Sequence, residues 1–240
     1  MLKIQMEEYD HRRINEILRE SAEDAELFGC LGQRFIGAGM ASGRIFIHGV
    51  PGNALGAYLN GTEITVYGNA QDAVGDTMNE GVIVIHGNIG DAAGYAMRGG
   101  KIFVKGNAGY RAGIHMKAYR EKVPVLIIGG CAGSFLGEYQ AGGTIIVLNL
   151  QDEKRNIVGS FPCTGMHGGK MFLRSDCSGI VFPKQVTARS AEADDLAELR
   201  KDLAEYCRVF SLDLEALLCS PFTVITPDSR NPYQQMYAAN

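Results

Sequence analysis

The chain has 240 residues, 46% of them hydrophobic and 21% charged, with a formal net charge of −4. Mild acidity without a basic stripe gives no reason to expect nucleic acid. No apolar run is long enough to cross a membrane, and Met1-Leu2-Lys3-Ile4-Gln5 lacks the apolar centre of a signal peptide, so a cytoplasmic protein is expected.

Taken in order, residues 10–27 read as an amphipathic helix, with Ile14, Ile17, Leu18, Ala22 and Ala25 on one face and Asp10 as N-cap. Residues 1–28 are therefore expected to be a helical cap. Gly29 to Met40 is a degraded copy, or a partial first rung, of the unit that follows. From residue 44 to 143 one unit recurs. Gly49, Gly68, Gly87 and Gly106 fall at one constant interval, and Gly56, Gly75, Gly94 and Gly113 repeat it. The last pair, Gly130 and Gly137, is displaced by 24, so five extra residues precede it. A period near 20 marks a stacked, solenoid-like architecture.

Each copy carries one strand of alternating character, with Ile45 and Ile47, Ile64 and Val66, Ile83 and Ile85, Ile102 and Val104, then Leu126 and Ile128 facing inward. Leu55, Val74, Ala93, Ala112 and Leu136 precede the second glycine. Leu59, Met78, Met97 and Met116 follow it, and Gln140 breaks that column. Every copy reads as strand, turn, strand, turn, too short for a crossover helix. Such units stack as rungs of a parallel β-helix. An isolated rung cannot offset the entropy of ordering its backbone, so neighbours and end caps are required. The glycines serve corners that need φ > 0 or a backbone without a Cβ. Asn69, Asn88 and Asn107 form a structural column able to hydrogen-bond along the stack.

The insertion from Met116 to Val125, with Lys117 and Arg120, is either a solvated loop or a partner contact. Beyond Asn149 the register loosens. Gln151 to Arg155 is a charged loop, and Gly159 to Arg174 a closing coil with Met171-Phe172-Leu173 as its strand. The β-helix is expected over residues 29–185, with a C-terminal helix and extended tail over 186–240. That helix, Asp194 to Phe210, has Leu196, Leu199, Leu203, Tyr206 and Phe210 as its apolar face. The tail, with Pro221, Pro227 and Pro232, cannot be helical throughout, and Phe222, Tyr233 and Tyr237 suggest that it lies against something.

Candidate chemistry is sparse. His48 and His86 share an outward column with Tyr67 and Lys105; at two rungs' separation, about 10 Å, they cannot share one metal. The six cysteines are too scattered for a zinc or iron–sulfur motif and read as small, partly buried thiols. Gly87-Asn88-Ile89-Gly90 opens no helix that could hold a phosphate. A calcium-binding repeat lacks its regular aspartates, because Asp72, Asp76 and Asp91 do not share one register. No nucleophile has an evident base. No catalytic, cofactor-binding or metal residue is assigned. One outward column is unexpectedly apolar: Phe46, Thr65, Val84, Phe103, Ile127 and Ile146. Either the C-terminal helix or another subunit covers it. Phe46, Val84, Phe103, Ile127, Ile146, Lys117 and Arg120 are thus the interface candidates.

Four stretches carry a resemblance: Gly68 to Gly75, Val104 to Gly113, Gly137 to Leu148, and Gly165-Met166-His167-Gly168-Gly169. Together they resemble the GXGXG domain, the C-terminal domain of the glutamate synthase large subunit, over roughly residues 28–175. The resemblance implies an all-β, single-stranded, right-handed parallel β-helix, here flanked by α-helices. It further implies a separately encoded, non-catalytic subunit that braces a glutaminase-type amidotransferase subunit and an FMN/iron–sulfur synthase subunit. FMN and the iron–sulfur cluster would sit on those partners and no cofactor on this chain; self-association is also open. A related β-helix occurs in formylmethanofuran dehydrogenase, an alternative setting. An independent carbohydrate-acting β-helix enzyme is the other alternative, and it would need carboxylates grouped on one outer face.

Overall fold

One strand per repeat, laid in register on the one before, builds the molecule. The structure is a computed structural model describing residues 1–21, 24–150 and 156–228. The charged loop expected at Gln151–Arg155, and Pro232, Tyr233 and Tyr237 of the tail, lie outside the described residues, as does Ala22. The elements are β1 (Leu2–Gln5), α1 (His11–Ser21), β2 (Ala25–Leu31), β3 (Arg44–Val50), β4 (Asn60–Val66), β5 (Glu80–Ile85), β6 (Lys101–Val104), β7 (Val125–Ile128), β8 (Ala141–Val147), β9 (Gly168–Leu173), β10 (Val186–Ser190), α2 (Ala193–Phe210), α3 (Leu214–Leu218) and β11 (Thr223–Pro227).

Strands β1 to β9 pair in parallel in chain order, forming a β-solenoid of about eight turns. The register follows the repeat. Ile45 pairs with Ile64, Ile64 with Ile83, Ile83 with Ile102, Ile102 with Leu126, Leu126 with Ile145, and Ile145 with Met171. These inward side chains are essentially inaccessible and form one core along the axis. The second side of each rung is not a full strand. It shrinks to single parallel bridges from Ala70 through Ile89, Ala108 and Ala132 to Val158.

The corner between the two sides uses left-handed backbone at alternate residues. In one rung Ala54, Gly56 and Tyr58 have φ of 62°, 63° and 56°, and in the inserted rung Phe135, Gly137 and Tyr139 have 59°, 64° and 53°. Small side chains pass most easily here, because a β-carbon crowds its own carbonyl in this conformation. The closing coil obeys the same geometry and is a full rung. Cys163 (φ 60°) takes the central glycine's place, its N–H donating to Leu136 O at 2.8 Å. Gly29–Met40 is likewise a rung, with Gly37 one repeat before Gly56 and in the same left-handed conformation.

Both ends depart from a simple helical cap. The amphipathic pattern of residues 10–27 holds as helix only to Ser21, and residues 25–31 enter the sheet as β2. The alternation Ala25-Glu26-Leu27-Phe28 pairs Ala25 with Ile45 and Leu27 with Ile47, continuing the inward column. Residues 1–28 therefore contribute strands as well as a helix, and the sheet does not begin at residue 29. Helix α1 seals the corner edge: Asn15 Nδ2 donates to Phe35 O at 2.9 Å and Asn15 Oδ1 accepts from Gly37 N at 2.9 Å. At the far end the tail supplies β11, antiparallel to β9, and β10 pairs outside it. Two antiparallel strands terminate the parallel stack.

Helix α2 lies on the outer face of the sheet. Its first turn is fixed by Asp195, which accepts from Glu192 N at 2.9 Å and from Arg189 Nη1 at 2.6 Å. The hydrogen bond from Arg189 holds the Asp195 carboxyl below its ordinary value of 3.8. A depressed carboxylate contributes stability that is complete above the ordinary value and is lost as pH falls through the lowered one. Asp195→Asn should therefore lower stability by about 1 kcal/mol at neutral pH. The gap to wild type should close as the solution is acidified below the ordinary carboxylate range, as read by urea unfolding at a series of pH values.

Candidate functional site

Five interface candidates sit along the sheet's outer face, and α2 and α3 bury most of that row. Phe103, Ile127 and Ile146 are completely inaccessible and Val84 nearly so, packed with Leu199, Leu203, Tyr206 and Phe210 of α2 and Leu217 of α3. Tyr206 meets Phe103 edge-on with ring centroids 5.8 Å apart, and its hydroxyl donates to Val104 O at 3.0 Å. Lys101 Nζ ties the helix down through Asp202 at 2.7 Å and Glu205 at 2.6 Å. Val84, Phe103, Ile127 and Ile146 are thus not a partner surface; the chain's own helix takes them. Phe46 lies beyond the helix and stays partly exposed, with the Arg44 guanidinium 5.9 Å from its ring centroid.

The glycine columns split by mechanism. Gly56, Gly75, Gly94, Gly113 and Gly137 all have positive φ. In the first column only Gly49 does; Gly68, Gly87, Gly106 and Gly130 are needed for close approach instead. A β-carbon on Gly106 would lie 2.7 Å from Gly87 O and 2.3 Å from Asn88 Oδ1. The asparagines occupy that space for a reason. Asn69 Oδ1 accepts from Asn88 N at 2.8 Å, Asn88 Oδ1 from Asn107 N at 2.7 Å, and Asn107 Oδ1 from Cys131 N at 2.8 Å. The column bonds each side chain to the next backbone, rather than side chain to side chain. Asp72 and Asp91 do share the repeat's spacing and form a second such column: Asp72 accepts from Asp91 N, and Asp91 from Tyr110 N.

The histidine column is a ring stack. Phe28, His48, Tyr67 and His86 follow one another at centroid distances of 4.7, 4.9 and 5.2 Å, and Phe210 of α2 closes the series edge-on at 5.3 Å. His48 Nε2 also meets Glu26 at 3.0 Å, a carboxylate from outside the repeat. Burial, and then the charge of Lys105, hold His86 below its ordinary pKa and so keep it neutral. Among the described residues no group of three or more His, Cys, Asp or Glu is placed to hold a metal ion. Among the described residues no disulfide joins the six cysteines, five of which are buried. Burial pushes the Cys30 thiol up to about 11 and Cys163 up to about 12, leaving both as inert thiols at neutral pH.

Two features escaped sequence reasoning. A groove of about 950 Å³ opens beside the last rung, between Asn149, the Ile157–Pro162 corner, the Arg174–Val181 segment and Ser220. Arg174 there donates to Leu148 O at 2.9 Å and Ser220 Oγ at 3.0 Å, so its guanidinium braces the groove wall. The second is a pair of aromatic ladders on the left-handed corner. Tyr110, Phe135 and Phe161 follow one another at 5.2 Å, and Tyr95, His115 and Tyr139 at 6.0 and 5.2 Å. The repeat spacing does not announce them: Ala96 and Arg111, not Tyr95 and Tyr110, stand in register with His115 and Phe135, and each tyrosine reaches the next ring from one position away. The insertion is a tight hairpin, with Tyr119 and Lys122 bridged and Arg120 exposed in left-handed conformation (φ 56°). Lys117 is exposed beside it.

These features define a parallel β-solenoid whose corner polar groups are committed to the neighbouring rung. The chain belongs to the GXGXG motif family, whose pattern matches residues 11–228. It is 43% identical over 238 residues, 95% of this chain and 91% of the relative, to an uncharacterized protein of Methanocaldococcus jannaschii. Its fold is similar to a chain in the crystal structure of the formyltransferase/hydrolase complex of Methylorubrum extorquens bound to methylofuran. The TM-score is 0.66 at 22% identity, over 85% of this chain and 73% of that one. Among the described residues no helix is long and apolar enough to cross a membrane.

The two mechanisms at the corner separate by mutation. Gly106→Ala forces backbone apart and should cost about 2–4 kcal/mol, whereas Asn88→Ala strands one N–H at the surface and should cost about 1 kcal/mol. Thermal unfolding of the two variants, side by side, checks the order.

Proposed function

We propose that this chain is the structural, non-catalytic subunit of a glutamate synthase-like complex in the cytoplasm. It braces a glutaminase-type amidotransferase subunit and a synthase subunit that carries FMN and an iron–sulfur cluster. Membership of the GXGXG family carries the reading. Two of the stretches that resemble the glutamate synthase domain lie in adjacent rungs: Gly137 sits within the turn before β8, and Gly165 to Gly169 leads into β9. A stack with its corner amides and outer face already satisfied is rigid, and a rigid rod suits a brace between subunits that must exchange a reactive intermediate.

A second reading is favoured by the fold similarity to a chain of the formyltransferase/hydrolase complex. In it the chain serves as the β-helix subunit of a formylmethanofuran dehydrogenase-like oxidoreductase. Purification from the native source separates the two readings. The first expects a glutaminase-type subunit and an FMN/iron–sulfur subunit alongside the chain, and glutamine-dependent conversion of 2-oxoglutarate to glutamate by the assembly but not by the chain alone. A molybdenum- or tungsten-containing partner in their place supports the second reading and contradicts the first.

A further inference from the structure

The ladder of Tyr95, His115 and Tyr139 has a neighbour column. His115 and Lys117 flank the buried Met116, and both are exposed. Arg98 lies in register with Lys117, one repeat earlier, and Lys117 N donates to Met97 O at 2.9 Å. Two exposed cations are therefore stacked one rung apart, about 5 Å at ordinary strand spacing. Among the described residues neither is held by a carboxylate, whereas Lys122 is bonded to Glu80 at 2.6 Å. Arg120 adds a third cation at the hairpin tip, over the Tyr119 ring at 5.2 Å.

Three local costs meet here. Like charges directly opposed on adjacent strands repel. His115, Tyr139 and Arg120 hold left-handed backbone at φ of 55°, 53° and 56°, where a glycine would be relaxed. Tyr95 also leaves 40% of its surface exposed. The same corner position carries Ala96 one rung before His115 and Thr77 one rung before that, so neither the fold nor the register requires rings. An opposing surface that covers the rings and places carboxylates against Arg98, Lys117 and Arg120 offsets the exposure and the repulsion together.

We propose that this corner docks a protein partner presenting carboxylates around an apolar centre. The inference rests on the reading of the chain as a subunit of a complex. A second copy related by a two-fold axis does not fit, because an isologous contact would set this cationic patch against itself. Arg98, Lys117 and Arg120, with Glu121 as the one carboxylate on the same hairpin, suit the corner to steer an acidic partner.

The test is amide hydrogen exchange on the complex purified from its source at low ionic strength, compared with the isolated chain. Exchange at residues 94–98, 114–121 and 138–140 should slow about tenfold or more in the complex. Arg98→Glu combined with Lys117→Glu should weaken association about tenfold or more at low salt, and less at high salt. Lys184→Glu, exposed elsewhere, should leave it within about twofold. Melting temperatures of both variants should match wild type, since the three side chains are exposed. Protection confined to another face, or undiminished association of the double variant, overturns the surface; the glutamate synthase reading then still stands if its two partners are present. Other subunits footprinted on this corner overturn that reading and support the surface. A chain that purifies alone, or whose only contact here is with itself, overturns the surface.

Discussion

The distance between successive rungs governs this structure. At the corners backbone meets backbone, and a β-carbon on Gly52, Gly61 or Gly168 would fall 2.2 to 2.3 Å from a carbonyl oxygen of the rung beneath. Glycine is therefore required at those approaches by packing alone, whatever the local φ. Close approach in turn lets one side-chain oxygen reach the next rung's amide, as Asn69 does for Asn88 and Asp91 for Tyr110. The strand register, the core columns and the length of the repeat follow from it. An extra loop is accommodated only where it leaves the corner intact, as the Tyr119–Lys122 hairpin does.

A stack of this kind has two exposed ends and an outer face, and the chain treats each differently. Asn15 of α1 satisfies the corner backbone at the first rung. The last parallel strand, β9, is covered by β11, so the growing edge meets an antiparallel strand rather than solvent. Helix α2 buries the apolar outer row with a second core of its own, anchored by Tyr206 and the Lys101 ion pairs. What remains distinctive on the surface is concentrated at the left-handed corner and the inserted hairpin.

Much of this was legible in the chain. Glycines recurring once per repeat and isoleucines at period two fix a solenoid and its inward columns, because both periods express backbone geometry directly. Three things were not. Residues 25–28 fit a helical face and an alternating strand equally well, and the pairing of Ala25 with Ile45 decides between them. The outer row of Val84, Phe103 and Ile127 needs an apolar cover, but one amphipathic helix and one foreign subunit look alike from that row alone. Phe135 and Tyr139 in left-handed backbone run against local propensity, so a reader of propensities sees only a loop. The Asp72–Asp91 column was there in the spacing, and its carboxylates accept from the amides of the next rung.

The stacking itself is tested most directly by native-state hydrogen exchange at five corner amides, those of Asn88, Asn107, Cys131, Asp91 and Tyr110. Each is bonded to a side-chain oxygen of the preceding rung. In a register held this way they exchange as slowly as amides of the central strands, although most of them belong to exposed residues. Exchange at the rate of free loop amides would mean that the rungs are not clasped at their corners, and the account would be wrong at its base.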